Sequence, residues 1–218
     1  MNDFTKYNID QNEMIMSFNK AALSYDEVAF IQREVADRLI KRLNIFKINP
    51  TKILDVGMGT GYLTKQLATK YSSAQVCGID IAKQMLQKAK SDSFKNISLI
   101  CGEASLLPFA DHSMDIVISN MMLHWCADLH DVFMEFKRIL KPDGLLLFSS
   151  LGPDTLQELR QSWAVVDHYS HVNRFIDMHN IGDLMLEVQL QDPVMDMEYI
   201  HVMYQSVHDI MRDLKNIG

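Results

Sequence analysis

The chain is organised around residues 53–61, which read Ile-Leu-Asp-Val-Gly-Met-Gly-Thr-Gly. Ile53, Leu54 and Val56 are apolar or β-branched and predict the end of a buried strand. Three glycines at every second position then predict a loop in which side chains would obstruct a close ligand. Helical spacing resumes at Tyr62, so backbone N–H groups at a helix start face the loop. The pattern therefore predicts a ligand that lies against the loop backbone.

The order strand, glycine loop, helix is typical of the nucleotide-binding unit of open parallel sheets. The spacing Gly-x-Gly-x-Gly differs from the dinucleotide fingerprint Gly-x-Gly-x-x-Gly, which places a pyrophosphate on the helix start. A second apolar run ends in Asp80, roughly 20 positions after the loop, where a carboxylate at the tip of the second strand can bind ribose hydroxyls. Together these features indicate a ligand that has a ribose and no phosphate.

Five motifs, in order along the middle of the chain, resemble those of class I S-adenosylmethionine-dependent methyltransferases. They are residues 55–61 (Asp-Val-Gly-Met-Gly-Thr-Gly), Asp80, residues 102–108 (Gly-Glu-Ala-Ser-Leu-Leu-Pro), residues 109–120 (Phe-Ala-Asp-His-Ser-Met-Asp-Ile-Val-Ile-Ser-Asn) and residues 140–144 (Leu-Lys-Pro-Asp-Gly). The resemblance implies S-adenosyl-L-methionine as the cofactor. It also implies an α/β fold with a doubly wound, mostly parallel, Rossmann-like sheet, and strand and helix signals alternate through this region accordingly.

The same resemblance implies a set of cofactor-binding residues. Asp55 positions the amino-acid end of the cofactor, directly or through water, while the first two loop glycines allow close approach and the third allows helix packing. Asp80 binds the ribose hydroxyls. Glu103 and the Ala104 backbone meet the adenine, although the family more often has Asp at this position and a solvated loop acid is the alternative. The full set is Asp55, Gly57, Gly59, Gly61, Asp80, Ile81, Glu103, Ala104 and Asn120.

Composition limits the class of protein. The 218 residues suffice for one α/β domain with a full core. No stretch approaches the roughly 20 apolar residues of a membrane span and no export signal opens the chain, so we expect a soluble protein with no membrane partner. Three widely spaced cysteines favour a cytoplasmic location, and a net charge of −7 argues against a nucleic-acid partner. His168 and His171 lack a recognisable third ligand, so no metal is expected.

The chain divides into two parts. Residues 1–50 predict an N-terminal helical segment that packs on the cofactor site and covers it. Residues 51–218 predict the cofactor-binding methyltransferase domain, with a helical cap at about 151–190. Residues 194–204 alternate like a strand, the sixth, whereas methyltransferase sheets have seven. We therefore expect the C-terminal strand to be missing, either because the chain is truncated or because another element fills the gap. The sequence leaves the oligomeric state open.

The segment after the fourth strand bears on the substrate. Methyl transfer from a sulfonium is an in-line displacement that needs a well-oriented nucleophile and no covalent intermediate. Residues 119–125 (Ser-Asn-Met-Met-Leu-His-Trp) lack the Asn/Asp-Pro-Pro-Tyr quartet of amino-group methyltransferases. A carboxylate is already anionic at neutral pH and needs neither that quartet nor a general base. The segment weakens the case for N-methylation and leaves C- or O-methylation of a small molecule open.

A second resemblance covers nearly the whole chain. It rests on residues 17–25 (Ser-Phe-Asn-Lys-Ala-Ala-Leu-Ser-Tyr), 119–126, 156–167 (Leu-Gln-Glu-Leu-Arg-Gln-Ser-Trp-Ala-Val-Val-Asp), 171–175 (His-Val-Asn-Arg-Phe) and 211–218 (Met-Arg-Asp-Leu-Lys-Asn-Ile-Gly). These segments resemble the malonyl-acyl carrier protein O-methyltransferases that begin bacterial biotin synthesis. The resemblance implies that the free carboxylate of a malonyl thioester is esterified, with malonyl-acyl carrier protein as substrate and partner.

Three residues are candidates for the chemistry. Arg174 is expected to bind the malonyl carboxylate through its fork of donors, the alternative being a surface Arg that caps a helix or pairs with Asp177. Tyr25 is expected to close the cofactor pocket from the N-terminal segment. His124 could donate a hydrogen bond to the substrate or could simply pack beside Trp125. Cations that could meet an acidic carrier protein are Arg33, Arg38, Lys41 and Arg42, or Arg212 and Lys215.

Two other functions remain open at this point. Residues 152–160 (Gly-Pro-Asp-Thr-Leu-Gln-Glu-Leu-Arg) also resemble a methyltransferase-fold family of respiratory complex I assembly factors, which hydroxylate an arginine. A binding module that keeps the cofactor loop without catalysis is a third hypothesis, against which the intact Asp55, glycines and Asp80 argue. The sequence does not decide whether carrier protein or coenzyme A holds the acyl group.

Overall fold

The computed structural model describes residues 9–90, 94–169 and 171–217. Its centre is a five-stranded parallel sheet with the strand order β3-β2-β1-β4-β5. The strands are β1 (Lys52–Val56), β2 (Gln75–Asp80), β3 (Ile97–Cys101), β4 (Met114–Asn120) and β5 (Leu140–Ser149). The order reverses between β1 and β4, so a crevice opens at the carboxyl ends of these two strands.

Nine α-helices are found in the described ranges. They are α1 (Gln11–Ala21), α2 (Tyr25–Val28), α3 (Phe30–Arg42), α4 (Tyr62–Lys70), α5 (Lys83–Ala89), α6 (Leu129–Ile139), α7 (Gln157–Ala164), α8 (Met178–Glu187) and α9 (Val207–Asn216). One apolar cluster joins one face of the sheet to α6 and α8, and a second joins the other face to α3 and α4. The predicted doubly wound α/β fold is confirmed.

The packing follows from apolar spacing. In α6 the residues Leu129, Val132, Phe133 and Phe136 recur at helical intervals and are at most 1% exposed. Asp128 caps this helix, its side chain accepting a hydrogen bond from the His130 N–H at 2.9 Å. None of the helices in the described part of the chain is long and apolar enough to cross a membrane.

Two segments near the end of the sheet differ from the sequence prediction. Residues 141–144 (Lys-Pro-Asp-Gly) have the composition of a turn before the strand, but they lie within β5 as an irregularity in its register with β4. The predicted strand at residues 194–204 is wrong: this segment has no strand structure and is mostly exposed. Its carboxylates pair with α3 instead, Asp196 lying 2.7 Å from the Arg42 guanidinium. The acidic residues of this segment thus have partners on a helix, while the apolar residues that alternate with other residues in the segment, such as Met203, are exposed to solvent.

Candidate active site

A cavity of about 680 Å³ opens at the carboxyl ends of β1, β2 and β4. This volume lies within the roughly 300–1,000 Å³ typical of small-molecule sites. Its walls come from the glycine loop, the N-terminal helices, the segment after β4, residues 151–175 and the last turns of α9. The cavity therefore lies at the crevice that the strand order predicts, and it is the candidate site.

The glycine loop forms one wall of the cavity. Gly57 has a φ of 73°, and a Cβ added there would lie 2.2 Å from the Met122 Cγ. The position therefore excludes other residues both by backbone conformation and by space. Gly59 also lines the cavity, whereas Gly61 is buried at the start of α4, where an added Cβ would meet Ala89 at 3.2 Å. The loop thus exposes backbone to a ligand at its first two glycines and packs against α5 at the third.

Asp80, at the tip of β2, lines the cavity beside Ile81. Its two carboxylate oxygens accept hydrogen bonds from the backbone N–H groups of Gly59 and Ala82, each at 2.8 Å. Burial raises the pKa of this carboxyl, and the backbone donors partly oppose the rise. The hydrogen bonds fix the orientation of the carboxylate, and each oxygen keeps lone-pair capacity for a hydroxyl group in the cavity.

Asp55 precedes the loop and is fully buried. The Thr64 hydroxyl donates to its Oδ2 at 2.6 Å, while Oδ1 has no hydrogen-bond partner among the described residues. Burial raises the pKa of this carboxyl to about 7. Asp55 does not itself line the cavity, so it would act on a ligand through the loop or through water. An unpaired buried carboxylate oxygen suits a bound cation or donor, which fits the amino group of the expected cofactor.

The adenine end of the predicted site is closed by α1. Glu103 and Ala104 line the cavity, and the Gln11 side-chain amide donates to the Glu103 carboxylate at 2.7 Å. Gln11, Met14 and Phe18 of α1 also line the cavity. Sequence reasoning did not single out these three residues. The helical spacing of Met14 and Phe18 was the available signal.

Tyr25 begins α2 and lies against the glycine loop. Its ring Cε1 is 4.0 Å from the position that a Cβ on Gly59 would take. The neighbouring Asp26 accepts a hydrogen bond at 2.6 Å from the hydroxyl of Thr60, which ties α2 to the loop. Removal from water and the nearby Asp80 raise the pKa of the Tyr25 phenol, which therefore stays neutral.

Asn120 lines the cavity at the end of β4, but its amide is already engaged. The amide nitrogen donates to the Gln32 carbonyl at 2.9 Å, and the amide oxygen accepts from the Ser149 hydroxyl at 2.9 Å. The side chain thereby joins α3 to the ends of β4 and β5. In this geometry it shapes the cavity wall.

The part of the cavity beyond the loop is mostly apolar. His124 lies there, 5% exposed, with its ring edge-to-face on Phe175 at 5.6 Å. Its Nδ1 is buried and has no hydrogen-bond partner among the residues described. Burial lowers the pKa of His124 to about 3, so the ring is neutral at physiological pH. The apolar side chains around this part are Met122, Trp125, Leu151, Leu156, Leu159, Phe175, Met211 and Leu214.

Arg174 is not brought to the cavity. Its side chain is exposed, and it is absent from the lining although Asn173 and Phe175 contribute to it. The alternative pairing with Asp177 is not formed either, since that carboxylate caps α8 and contacts His179 at 2.7 Å. The role of Arg174 in carboxylate binding stays a prediction that this geometry does not favour.

The expected basic surface on α3 is largely neutralised within the chain. Arg38 pairs with Glu34 at 2.9 Å and with Glu198, and Arg42 pairs with Glu198 at 3.0 Å. Arg33 donates to the Asp26 carbonyl. These three guanidiniums therefore do not form a free cationic patch for an acidic partner.

Comparison with known proteins gives concordant similarities. Residues 54–148 match the family model described as "Methyltransferase domain". The chain is 46% identical to a malonyl-[acyl-carrier protein] O-methyltransferase of Gallionella capsiferriformans, with 100% of this chain and 77% of that protein covered. It is 43% identical to malonyl-[acyl-carrier protein] O-methyltransferase 1 of Coxiella burnetii, with 98% and 73% covered. The chain thus spans about three quarters of the length of these relatives.

Solved structures with the same fold are more distant in sequence. A SAM-dependent methyltransferase of Aquifex aeolicus superposes with a TM-score of 0.60 at 16% identity, over 84% of this chain and 89% of that one. Phosphoethanolamine N-methyltransferase 2 of Haemonchus contortus gives a TM-score of 0.59 at 20% identity, over 72% of this chain and 37% of that one. At this identity the similarity establishes the fold alone.

Proposed function

The chain belongs to the malonyl-[acyl-carrier protein] O-methyltransferase family, and we propose that it methylates the free carboxylate of a malonyl thioester carried by acyl carrier protein. It is an S-adenosylmethionine-dependent O-methyltransferase. The observation that carries the proposal is one cavity whose lining joins the glycine loop and Asp80 to His124 and Phe175.

The residues near the glycine loop fit the expected cofactor. Gly57 and Gly59 present backbone, Asp80 presents a fixed carboxylate for the ribose, and Glu103 with the Ala104 backbone presents acceptors and a donor for the adenine. Asp55 does not line the cavity and would act on the α-amino group through the loop or through water. When bound, S-adenosylmethionine supplies an electrophilic methyl group on a positively charged sulfur.

The chain's own residues orient the acceptor and exclude water. A malonyl carboxylate is ionised at neutral pH, so no residue has to remove a proton, and the neutral His124 is not needed as a base. His124 instead lines the cavity as a neutral ring and shapes its wall beside Phe175. Tyr25 covers the loop from above Gly59 and shields the reacting groups from solvent. Orientation of this kind is worth about 7–11 kcal/mol of a barrier.

The partner and the location form the finer part of the proposal. Malonyl-acyl carrier protein is the substrate, as the names of the relatives state for those proteins. Cys77, Cys101 and Cys126 are free thiols, which supports a cytoplasmic location. The methyl ester would then be an early intermediate of biotin synthesis, as the family resemblance implies. Arginine hydroxylation is disfavoured, because the O-methyltransferase relatives match over nearly the whole chain.

Growth of a biotin auxotroph tests this proposal. A bacterial strain that lacks its own malonyl-acyl carrier protein O-methyltransferase receives this chain, its Asp80→Asn variant, or the Gallionella relative as the positive control. We expect growth without biotin for the first and the third only. Growth with the relative and none with this chain, at equal protein levels, would contradict the proposal.

A further inference from the structure

We propose that Lys215, near the end of α9, is the cation that binds the free carboxylate of the malonyl group. This inference rests on the function proposed above and names a substrate-binding residue for it. Lys215 lines the cavity, whereas Arg174 does not. Among the described lining residues Lys215 is the only lysine or arginine.

The charges around the cavity favour an anion at this position. The carboxylates that line the cavity are Asp80, Glu103, Asp128 and Asp131. They suit a cationic cofactor and repel a second carboxylate. His171 also lines the cavity, but its ring is paired with Asp167 at 2.8 Å and stacked on Trp163. Lys215 is thus the place in the lining where a substrate carboxylate is attracted most strongly.

Lys215 itself has no counterion in the described chain. No hydrogen bond or ion pair joins its ammonium group to a described residue. Arg212, less than one turn earlier on the same helix, pairs with Asp209 at 2.9 Å. The two cations on this helix therefore differ. Arg212 has a carboxylate partner on its own helix, whereas Lys215 is available to bind the carboxylate of a ligand.

The surroundings of Lys215 suit a short acyl chain. Met211 and Leu214 of α9 line the cavity next to it, together with Ile217. A lysine stem packs along apolar surface of this kind while its ammonium group reaches a polar partner. The helix also packs against α2, the element that carries Tyr25 over the glycine loop. The cation therefore stands on a helix adjacent to the element that covers the cofactor end.

The proposed contact is consistent with the chemistry of transfer. Lys215 holds one carboxylate oxygen, and the other oxygen forms a bond to the methyl carbon as the carbon–sulfur bond breaks. The electron pair of that bond goes to sulfur, which becomes a neutral thioether, and no proton moves. The carboxylate becomes an uncharged ester, so its attraction to the ammonium group is lost and the product is released more easily.

The test compares lysine and arginine variants on two substrates. Initial rates are measured with malonyl-acyl carrier protein and with malonyl-pantetheine, which has no protein carrier. The variants are Lys215→Ala, Lys215→Arg and Arg174→Ala, with Lys88→Ala on the exposed face of α5 as the charge-matched control. Binding of S-adenosylhomocysteine and thermal unfolding show whether each variant keeps its fold and cofactor site.

We expect Lys215→Ala to lower kcat/KM by about 10- to 100-fold, mainly through KM and equally for both substrates, since it removes a charge-assisted hydrogen bond. Lys215→Arg should recover most of the loss, and Lys88→Ala should change little. If the wild type is active and Lys215→Ala is equally active, the inference is overturned. A loss of activity in Arg174→Ala alone would also overturn it. A loss of activity in Lys215→Ala that is seen only with malonyl-acyl carrier protein would overturn it too, because it would assign Lys215 to docking of the carrier. An inactive wild type would instead contradict the proposed function itself.

Discussion

The buried carboxyl of Asp55 should make the cofactor-free protein less stable as the pH rises. This side chain is fully buried, has one oxygen bound by Thr64 and has the other unpaired. Its pKa rises from 3.8 to about 7 on folding. Between these two values the folded chain holds a proton that the unfolded chain has lost, so the free energy of unfolding falls as the pH increases and levels off above pH 7.

The size of the effect follows from the same shift. One pKa unit corresponds to about 1.4 kcal/mol, so a shift of roughly three units costs about 4 kcal/mol over the whole range. About 3 kcal/mol of this falls between pH 5 and pH 8. Asp55→Asn removes the titration while it keeps a polar group of the same shape. The variant should therefore lack this part of the pH dependence and be more stable than the wild type at pH 8.

Urea unfolding of the cofactor-free proteins at pH 5, 6, 7 and 8 measures this difference. Asp183→Asn on the exposed face of α8 is the control for loss of a carboxylate. We expect the wild-type and control curves to fall together with pH and the Asp55→Asn curve to fall by about 3 kcal/mol less. S-adenosylmethionine should stabilise the wild type more than Asp55→Asn, because a carboxylate that acts through the loop or through water attracts the cofactor's amino group more strongly than a neutral amide does. Parallel pH dependences in all three proteins would refute the reasoning.

Substitutions at three further positions test the site and the core. Gly57→Ala should weaken S-adenosylhomocysteine binding in calorimetry and lower the free energy of unfolding by about 1–3 kcal/mol. The reason is that the added Cβ would collide with Met122 and that residue 57 has a positive φ. Unchanged affinity and stability would contradict this. Tyr25→Ala should weaken S-adenosylhomocysteine binding at least about tenfold, whereas Tyr25→Phe should change it little, since the ring covers the glycine loop. Unchanged binding and turnover in both variants would contradict the role of Tyr25 in closing the cofactor pocket. Phe136→Ala should lower the free energy of unfolding by about 3–5 kcal/mol, because its ring is fully buried beneath the sheet; a cost under 1 kcal/mol would show that the core is not packed as described.

Local patterns in the sequence were sufficient for the sheet and the cofactor end. The strand before Asp55, the loop glycines and the placement of Asp80 follow from spacing along the chain and meet in the fold as predicted. Each of these features depends on a few consecutive residues and on the rule that ligands bind at the carboxyl ends of parallel strands. The fold and a ligand with a ribose and no phosphate are therefore predictable from these patterns, and the family resemblance implied which cofactor it is.

Contacts between distant parts of the chain were not predictable in the same way. Alternation at residues 194–204 predicted a strand, but ion pairs with α3 hold that segment, and no local pattern records such pairs. Asn120 lines the cavity, and its role at the cofactor stays a prediction, but the partners of its amide on α3 and β5 were not predictable from the sequence. The sequence favoured Arg174 for the substrate carboxylate and Lys215 for contact with a carrier protein, and only the folded positions show that Lys215 lines the cavity whereas Arg174 does not.

The most direct test of the account is methyl transfer from radiolabelled S-adenosylmethionine to malonyl-acyl carrier protein. Unloaded carrier protein and malonyl-coenzyme A serve as alternative acceptors, and the Asp80→Asn variant as the inactive control. We expect the label on malonyl-acyl carrier protein alone, or on malonyl-acyl carrier protein in preference to malonyl-coenzyme A. The label should be present as a methyl ester, which mild base hydrolyses to release labelled methanol. No label on the malonyl group despite cofactor binding, or label that resists mild base, would contradict carboxylate methylation.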